Sequence, residues 1–326
     1  MAFTQEAVSA FLSAFPEAKQ NEPLAPHTTW RMGGPAKLFL TVSSVDQLLT
    51  AIKLADAQKI PWVVMGGGTN VLIPDEGFEG LVLQPGMRGI EVLPGGLRLE
   101  AGALTTLVGR KSVEAGFEGF EWAAGLPGTI GGALYGNAGC YGGEMKDAVV
   151  TVDAYRIKDG QRVSLSNVEC RFDYRDSLFK HEAYVILGCE LKLQPANDTT
   201  ASRELLNKIF ESRQKQQPLG RTSAGCIFKN PKVREEDVKN LLQKGLKPMF
   251  GHDSKVHVAA GWLIEQVGMK GYRIGDVEVS DKHANFFLSG PQAKAQDVIA
   301  LISAVKMKVR DELGIQLEEE VQYLGF

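Results

Sequence analysis

Several residues in this sequence have types and spacings that suit chemistry. RTSAGCIFKNP (221–231) sets Cys226 directly after a glycine and before the apolar pair Ile227-Phe228. A thiol there can donate a proton, but a free cysteine beside apolar residues also reads as a small buried hydrophobe. YRDSLFK (174–180) carries Arg175. Its planar fork matches a carboxylate or phosphate, and the plainer alternative is a surface pair with Asp176. EEEVQYLG (318–325) supplies three adjacent carboxylates. On a strand Glu318 and Glu320 share one face and Glu319 takes the other, although a charge run is ordinarily a solvated face. Two stretches are dense in glycine, VVMGGGTN (63–70) and GLPGTIGGALYGNAGCYGG (125–143). Such turns let backbone N–H groups approach a phosphate, and Thr69 and Asn70 add side-chain donors. Tight turns without a ligand are the alternative for each stretch.

Other chemistries are excluded by what the chain lacks. No G-x-G-x-x-G follows a strand and no G-x-x-x-x-G-K-[ST] occurs, so the usual dinucleotide and P-loop fingerprints are absent. H-E-x-x-H and G-x-S-x-G are also missing. The five histidines show no ligand spacing, and Cys140, Cys170, Cys189 and Cys226 form no C-x-x-C pair. No metal is expected, and free thiols fit a reducing compartment. The net charge of −3 argues against nucleic acid as a partner. The N-terminus reads as an amphipathic helix rather than a signal peptide. No apolar run is long enough to span a membrane. The expected location is cytoplasmic, and the expected state is a monomer.

The elements that must position these residues follow from periodicity. At 326 residues the chain is expected to form two or three domains. The spacing predicts helices over about 5–14 and over SVDQLLTAIKLADAQ, the latter capped by Ser44 or Asp46. Strands are predicted in PAKLFLTV, PWVV and FEGLVLQPG. Residues 1–80 therefore alternate strand and helix, an α/β unit. Residues 81–213 add a strand around LRLEAGA, a helix at TTLVGRKSVEAG and then consecutive strands at VVTVDAYRI, RVSLSN and AYVILGCELKLQP; these last three suggest an antiparallel sheet. Helix ASRELLNKIFESRQKQ leads out. Residues 214–326 hold AAGWLIEQVG and AQDVIALISAVKMKVRDELG as helices, ending near Gly268 and Gly314. HANFFLSG is a short strand and QLEEEVQYLGF a final one.

Together these stretches resemble the UDP-N-acetylenolpyruvoylglucosamine reductase family. The resemblance runs in order through TTWRMGG (28–34), the two glycine stretches and YRDSLFK, then through SAGCIFKNP (223–231), AGWLIEQVGMKGYRIG (260–275), VSDKHANF (279–286) and LEEEVQYLG (317–325). It implies an α+β, three-domain flavoprotein. Residues 1–80 and 81–213 would form a two-domain, vanillyl-alcohol-oxidase-type FAD-binding region. Residues 214–326 would bind substrate, with the final strand returning to the active site. The implied reaction is NADPH-dependent, FAD-mediated reduction of UDP-N-acetylglucosamine enolpyruvate to UDP-N-acetylmuramate, a peptidoglycan precursor, with ping-pong kinetics and non-covalent FAD.

The resemblance also assigns residues. Gly66, Gly67, Gly68, Thr69, Asn70, Gly125, Pro127, Gly128, Gly131 and Gly132 would line FAD, with Arg31 and Gly33 beside them. Arg175 and Glu320 would stabilise charge developing on the enol and carboxylate, and Cys226 would be the general acid. Lys215, Lys229 and Asn230 would hold sugar, carboxylate or phosphates. The interval between Arg175 and Cys226 is short, which resembles the subgroup without a tyrosine-bearing substrate loop. Three positions depart from the family pattern. Cys226 stands where most members carry a serine, Val277 where a small residue is usual, and Cys140 where alanine is frequent. Two rival readings stay open at this level: a flavin oxidase acting on a sugar or alcohol, and a module that binds FAD or a UDP-sugar without turnover.

Overall fold

The computed structural model describes residues 4–233, 238, 241–243, 245, 249–250 and 256–326. The chain divides into two compact units. One comprises 1–22, 36–68 and 78–215, and the other 23–35, 69–77 and 216–326. Two short stretches early in the sequence thus belong with the C-terminal residues.

The first unit begins with a parallel sheet. Strand Phe78–Pro85 pairs in parallel with Pro35–Val42 on one side and Trp62–Val64 on the other, and Lys19–Pro23 closes the far edge. The crossover is helix Val45–Ala57. Ser44 caps it, accepting from the Gln47 N–H at 3.1 Å. Leu48, Leu49, Ile52 and Ala55 form its buried stripe and pack with Leu38, Leu40, Leu81 and Leu83. Helix Gln5–Ala14 adds Val8 and Phe11 to the same core.

A five-stranded antiparallel sheet follows in this unit, ordered Gln161–Ser166, Val149–Arg156, Tyr184–Lys192, Gly96–Glu100, Ile90–Leu93. Its central strand, YVILGCELK, is apolar almost throughout because both faces are covered. Ile186, Cys189 and Leu191 pack with Ile130, Leu134 and Met145, while Val185 and Leu187 join the core of the parallel sheet. One strand therefore ties two cores together.

The second unit is built on helix Ala295–Leu313. Val298, Leu301, Ile302, Val305 and Val309 recur at helical spacing and are buried. They pack on the antiparallel strands Arg273–Ile274, Val277–Val279 and Phe287–Ser289. Val277 is fully buried in this core. Trp30 and Leu72 from the two early stretches lie in the same core. The Trp30 indole N–H donates to the Phe287 carbonyl at 3.3 Å, and the Ala295 N–H reaches Asp75 Oδ1 at 3.1 Å.

The two early stretches meet backbone to backbone. Gly77 has φ of 90°, and a Cβ there would lie 1.9 Å from the Pro35 carbonyl oxygen. Only glycine fits, on both conformational and steric grounds. Gly77→Ala is expected to cost roughly 2–3 kcal/mol of stability, read as a lowered midpoint in thermal or denaturant unfolding.

Candidate active site

The residues singled out from the sequence fall into two sets, one on each unit. On the first unit, the chain leaves strand Trp62–Val64 through Gly66, Gly67 and Gly68. The Met65 N–H is still held by Leu83 O at 2.9 Å. A Cβ on Gly66 would stand 2.5 Å from Thr129 Oγ1. Thr129 is the N-cap of the short helix Ile130–Tyr135, accepting from the Gly132 N–H at 3.4 Å. The two glycine-rich stretches therefore adjoin. The second is pressed on the sheet by the Gly131 N–H, which donates to Ala101 O at 2.8 Å. Gly66, Gly67, Gly128 and Gly131 are half-buried, and Pro127 and Gly132 are exposed. Backbone without side chains thus reaches the surface at adjoining turns, which fits a phosphate-bearing cofactor. Gly125 has a different reason to be glycine, since it is buried and a Cβ would meet Ile209 and Tyr141.

Arg175 lies beside this region and does not form the plain surface pair. Asp176 instead pairs with the His181 ring at 2.8 Å. Burial pushes the Asp176 carboxyl up, but the His181 ring, the Ser177 N–H and Lys180 outweigh it and hold the carboxyl below its ordinary value. Arg175 is half-buried, and its Nη2 donates to Gly139 O at 2.7 Å. Its guanidinium carbon is 5.1 Å from the centre of the Tyr174 ring, and its own carbonyl accepts from Lys180 Nζ at 2.7 Å. Arg175 has φ of 54°, and Asn137 and Tyr141 in the glycine block have φ of 40° and 52°. Such conformations cost energy for residues with side chains and concentrate at functional sites.

Asn137 escaped the sequence reading. It is fully buried, donates to Glu144 Oε2 at 2.8 Å and Asp173 O at 2.9 Å, and accepts from the Lys146 N–H at 3.0 Å. It joins the glycine block to the segment bearing Arg175. Its signal was an asparagine directly after a glycine, the residue type that best tolerates left-handed backbone after glycine itself. Cys140 is a packing residue with its S–H near Trp122 O at 3.4 Å. Burial pushes its pKa up to about 11 against the opposing pull of Arg213 and Arg175. Lys215 is exposed in the last turn of helix Thr200–Gln216.

On the second unit, the segment carrying Cys226 is the middle of three. On one side Glu320 N–H donates to Ile227 O at 2.7 Å and Lys229 N–H to Glu318 O at 2.9 Å. On the other side Cys226 bridges Phe286, and Ile227 N–H donates to Asn285 O at 2.9 Å. Cys226 and Glu320 are therefore brought to neighbouring segments, and both are half-buried. Beyond Glu320, strand Gln322–Tyr323 runs parallel to Val71–Leu72. Asn70 Nδ2 donates to Glu320 O at 3.0 Å, and Asn70 O accepts from Gln322 N–H at 3.0 Å.

Glu318 and Glu319 have different environments. Glu318 is exposed, with Lys229 Nζ 3.5 Å away. Glu319 meets Lys306 at 2.7 Å and also the Tyr323 hydroxyl. Burial raises its pKa, but Lys306 and Tyr323 prevail and hold it below the ordinary carboxylate value. The final strand is shorter than its sequence suggested, because this run pairs only through the Phe228–Glu319 bridge before Gln322. Asn230 Oδ1 accepts the Ala260 N–H at 3.0 Å at the start of helix Ala260–Gln266. Arg31 is exposed and its Nη1 donates to Pro26 O at 3.0 Å. A Cβ on Gly33 would lie 2.9 Å from Ile73 Cβ. Thr69 is half-buried.

Comparison with known proteins agrees with this arrangement. The FAD binding domain family matches residues 36–166, which include both glycine-rich turns of the first unit. The C-terminal domain family of UDP-N-acetylenolpyruvoylglucosamine reductase matches residues 217–324, which include Cys226 and Glu320. The chain is thus a flavin-dependent oxidoreductase. A reductase of that name from Rubrobacter xylanophilus is 37% identical over 95% of this chain and 96% of its own length. One from Clostridioides difficile is 34% identical over 95% and 94%. The crystal structure of UDP-N-acetylenolpyruvylglucosamine reductase from Thermus caldophilus aligns with a TM-score of 0.72. It is 30% identical and covers 94% of this chain and 97% of that one. The chain belongs to the UDP-N-acetylenolpyruvoylglucosamine reductase family.

The closeness of Gly66 to Thr129 provides a test of whether these turns hold the cofactor. Gly66→Ala would push the Thr129 cap aside and is expected to weaken FAD retention about 10-fold, on the order of 1.4 kcal/mol. Flavin fluorescence on titrating stripped protein measures it, with far-ultraviolet circular dichroism confirming the fold. Undiminished retention would remove these turns from the FAD site.

Proposed function

We infer that this chain catalyses the NADPH-dependent, FAD-mediated reduction of UDP-N-acetylglucosamine enolpyruvate to UDP-N-acetylmuramate in peptidoglycan precursor synthesis. The observation that carries the reading is the pairing of the Cys226–Lys229 segment with Glu318–Glu320, which makes a thiol able to donate a proton and a carboxylate neighbours, in a family whose reaction needs a proton donor and a carboxylate. Bound FAD would accept electrons from NADPH and return them as hydride to the terminal methylene of the enolpyruvyl ether. We propose that Gly66, Gly67, Gly68, Thr69, Asn70, Gly125, Pro127, Gly128, Gly131 and Gly132 hold it, with Arg31 and Gly33 contributing.

The residues of the chain supply field and protons. Arg175 is anchored on Gly139 O by one amino group and sits against Tyr174, so its position is preset. A preset guanidinium stabilises the charge that grows on the substrate carboxylate and enol without reorganising. Glu320 acts on the same developing charge, as a hydrogen-bond donor when protonated. Cys226 delivers the proton to the carbon bearing the ether oxygen. A thiol with an ordinary pKa of about 8.5 releases a proton far more readily than the hydroxyl of serine. Lys215, Lys229 and Asn230 are proposed to hold the UDP-sugar, and in that role the Asn230 amide would also keep its helix contact. The proposed division is residues 1–80 and 81–213 around FAD and 214–326 around the substrate. No helix among the described residues is long and apolar enough to cross a membrane, and we propose a cytoplasmic monomer.

Two measurements test the reading. Under anaerobic conditions, NADPH is expected to bleach the flavin bands, and the enolpyruvyl UDP-sugar to restore them. Bleaching without recovery on the second addition would leave a flavoprotein with a different substrate. Cys226→Ser is expected to retain substantial turnover, whereas Cys226→Ala slows the recovery by about 100-fold or more and leaves bleaching intact. Equal recovery in Cys226→Ala and the parent would remove the thiol from the reaction.

A further inference from the structure

The backbone around Cys226 is held in an unusual way on one side. Toward the C-terminal segment, Ile227 O and Lys229 N–H are paired with Glu320 and Glu318. Toward residues 285–286, ordinary strand pairing stops after the Ile227 N–H to Asn285 O bond. The next residue, Phe228, would leave both its N–H and its carbonyl without a partner strand. The Asn285 side chain takes over. Its Oδ1 accepts the Phe228 N–H at 2.9 Å, and its Nδ2 donates to Phe228 O at 2.8 Å.

A carboxamide carries the same acceptor and donor as a peptide group, so this side chain completes the pairing as one more peptide unit would. Asn285 is 2% exposed and Phe228 1% exposed, so water does not substitute for these bonds. Asn285 is itself fixed, since its N–H donates to His283 Nδ1 at 3.3 Å. Burial holds the His283 ring below its ordinary pKa, so the ring is neutral and able to accept. The Phe228 ring is wedged edge-on against Phe287, with ring centres 6.1 Å apart. The segment with Cys226 on one side of Ile227-Phe228 and Lys229 on the other is thereby held from both edges and from beneath.

We propose that Asn285 is the positioning residue that fixes the Cys226 thiol, acting through Ile227 and Phe228 and touching neither substrate nor cofactor. Its catalytic consequence rests on the reading of Cys226 as the proton donor. Removing the amide leaves two buried backbone groups unsatisfied beside the thiol and lets the segment shift. Misplacement of a proton donor by about 1 Å costs up to about 100-fold in the step it serves.

The test is a cycle of Asn285→Ala, Cys226→Ala and the double variant in the flavin-loaded enzyme. Bleaching by NADPH and recovery on the enolpyruvyl UDP-sugar are measured separately. Asn285→Ala is expected to slow recovery roughly 10- to 100-fold and leave bleaching unchanged. The double variant should then be no slower than Cys226→Ala, because the second loss acts through a group already removed. Multiplied losses in the double variant would overturn the proposal while leaving the role of Cys226 intact. If Asn285→Ala does not accumulate as folded protein, Asn285→Asp enters the same cycle, since it keeps an acceptor for Phe228 N–H and sets a second carboxylate oxygen against Phe228 O.

A second readout does not depend on the chemistry of the thiol. Iodoacetamide labelling of flavin-free protein, followed by mass spectrometry, compares the peptide of Cys226 with that of Cys140. Asn285→Ala is expected to raise Cys226 labelling at least about 3-fold relative to Cys140, as the released segment opens more often. An unchanged ratio would overturn the positioning role even if Cys226 proves to be the acid. Wild-type recovery in Cys226→Ala together with a raised ratio would keep the positioning role and sink the acid.

Discussion

The backbone at the end of the chain is paired with two distant parts of the sequence. Glu318 and Glu320 pair with Lys229 and Ile227, and Gln322 and Leu324 pair with Asn70 and Leu72. Buried or half-buried peptide groups must be satisfied, so these bonds fix where the last ten residues run. They also draw residues 69–77 out of the N-terminal unit and into the C-terminal one. The glycine turn is thereby divided. Gly66 to Gly68 remain with the parallel sheet, while Thr69 and Asn70 go with Glu320. A single short loop carries both the backbone suited to a phosphate and the amide that holds the Glu320 backbone carbonyl.

Side-chain amides do comparable work in each unit. Asn137 ties the glycine block to Glu144, Lys146 and Asp173, two residues before Arg175. Asn285 satisfies both backbone groups of Phe228, two residues after Cys226. In both places a buried carboxamide satisfies backbone groups that lie outside regular pairing. The contribution of each bond is modest when made and larger when removed, because the partner left behind stays buried.

Burial sets two of the four cysteines apart. Cys170 and Cys189 lie in the core of the antiparallel sheet, where burial pushes the Cys170 thiol up to about 12 and that of Cys189 still further upward. Cys140 is held up by burial as well, although two guanidinium groups pull against it. Cys170 and Cys189 are core packing groups, and Cys140 packs with its S–H near Trp122 O. Cys226 is half-buried, and it alone among the four stands next to the pairing with Glu320.

Much of the fold was legible in the sequence because it depends on local periodicity. The helices Gln5–Ala14, Val45–Ala57 and Ala295–Leu313 follow from apolar residues at helical spacing, and Ser44 and Gly314 mark two of their ends. The antiparallel sheet followed from consecutive apolar runs separated by turns. The types of residue needed for the chemistry were legible too, since a thiol, a guanidinium and carboxylates are recognisable wherever they lie. What periodicity could not convey was long-range pairing. That Asp176 would turn to His181 and leave Arg175 to Gly139, or that Glu319 would face Lys306, depends on contacts between segments set by packing. The same holds for Asn70, Asn137 and Asn285. An asparagine has no periodic signature, and its two polar groups acquire a meaning only when tertiary structure brings an unpaired peptide group to them.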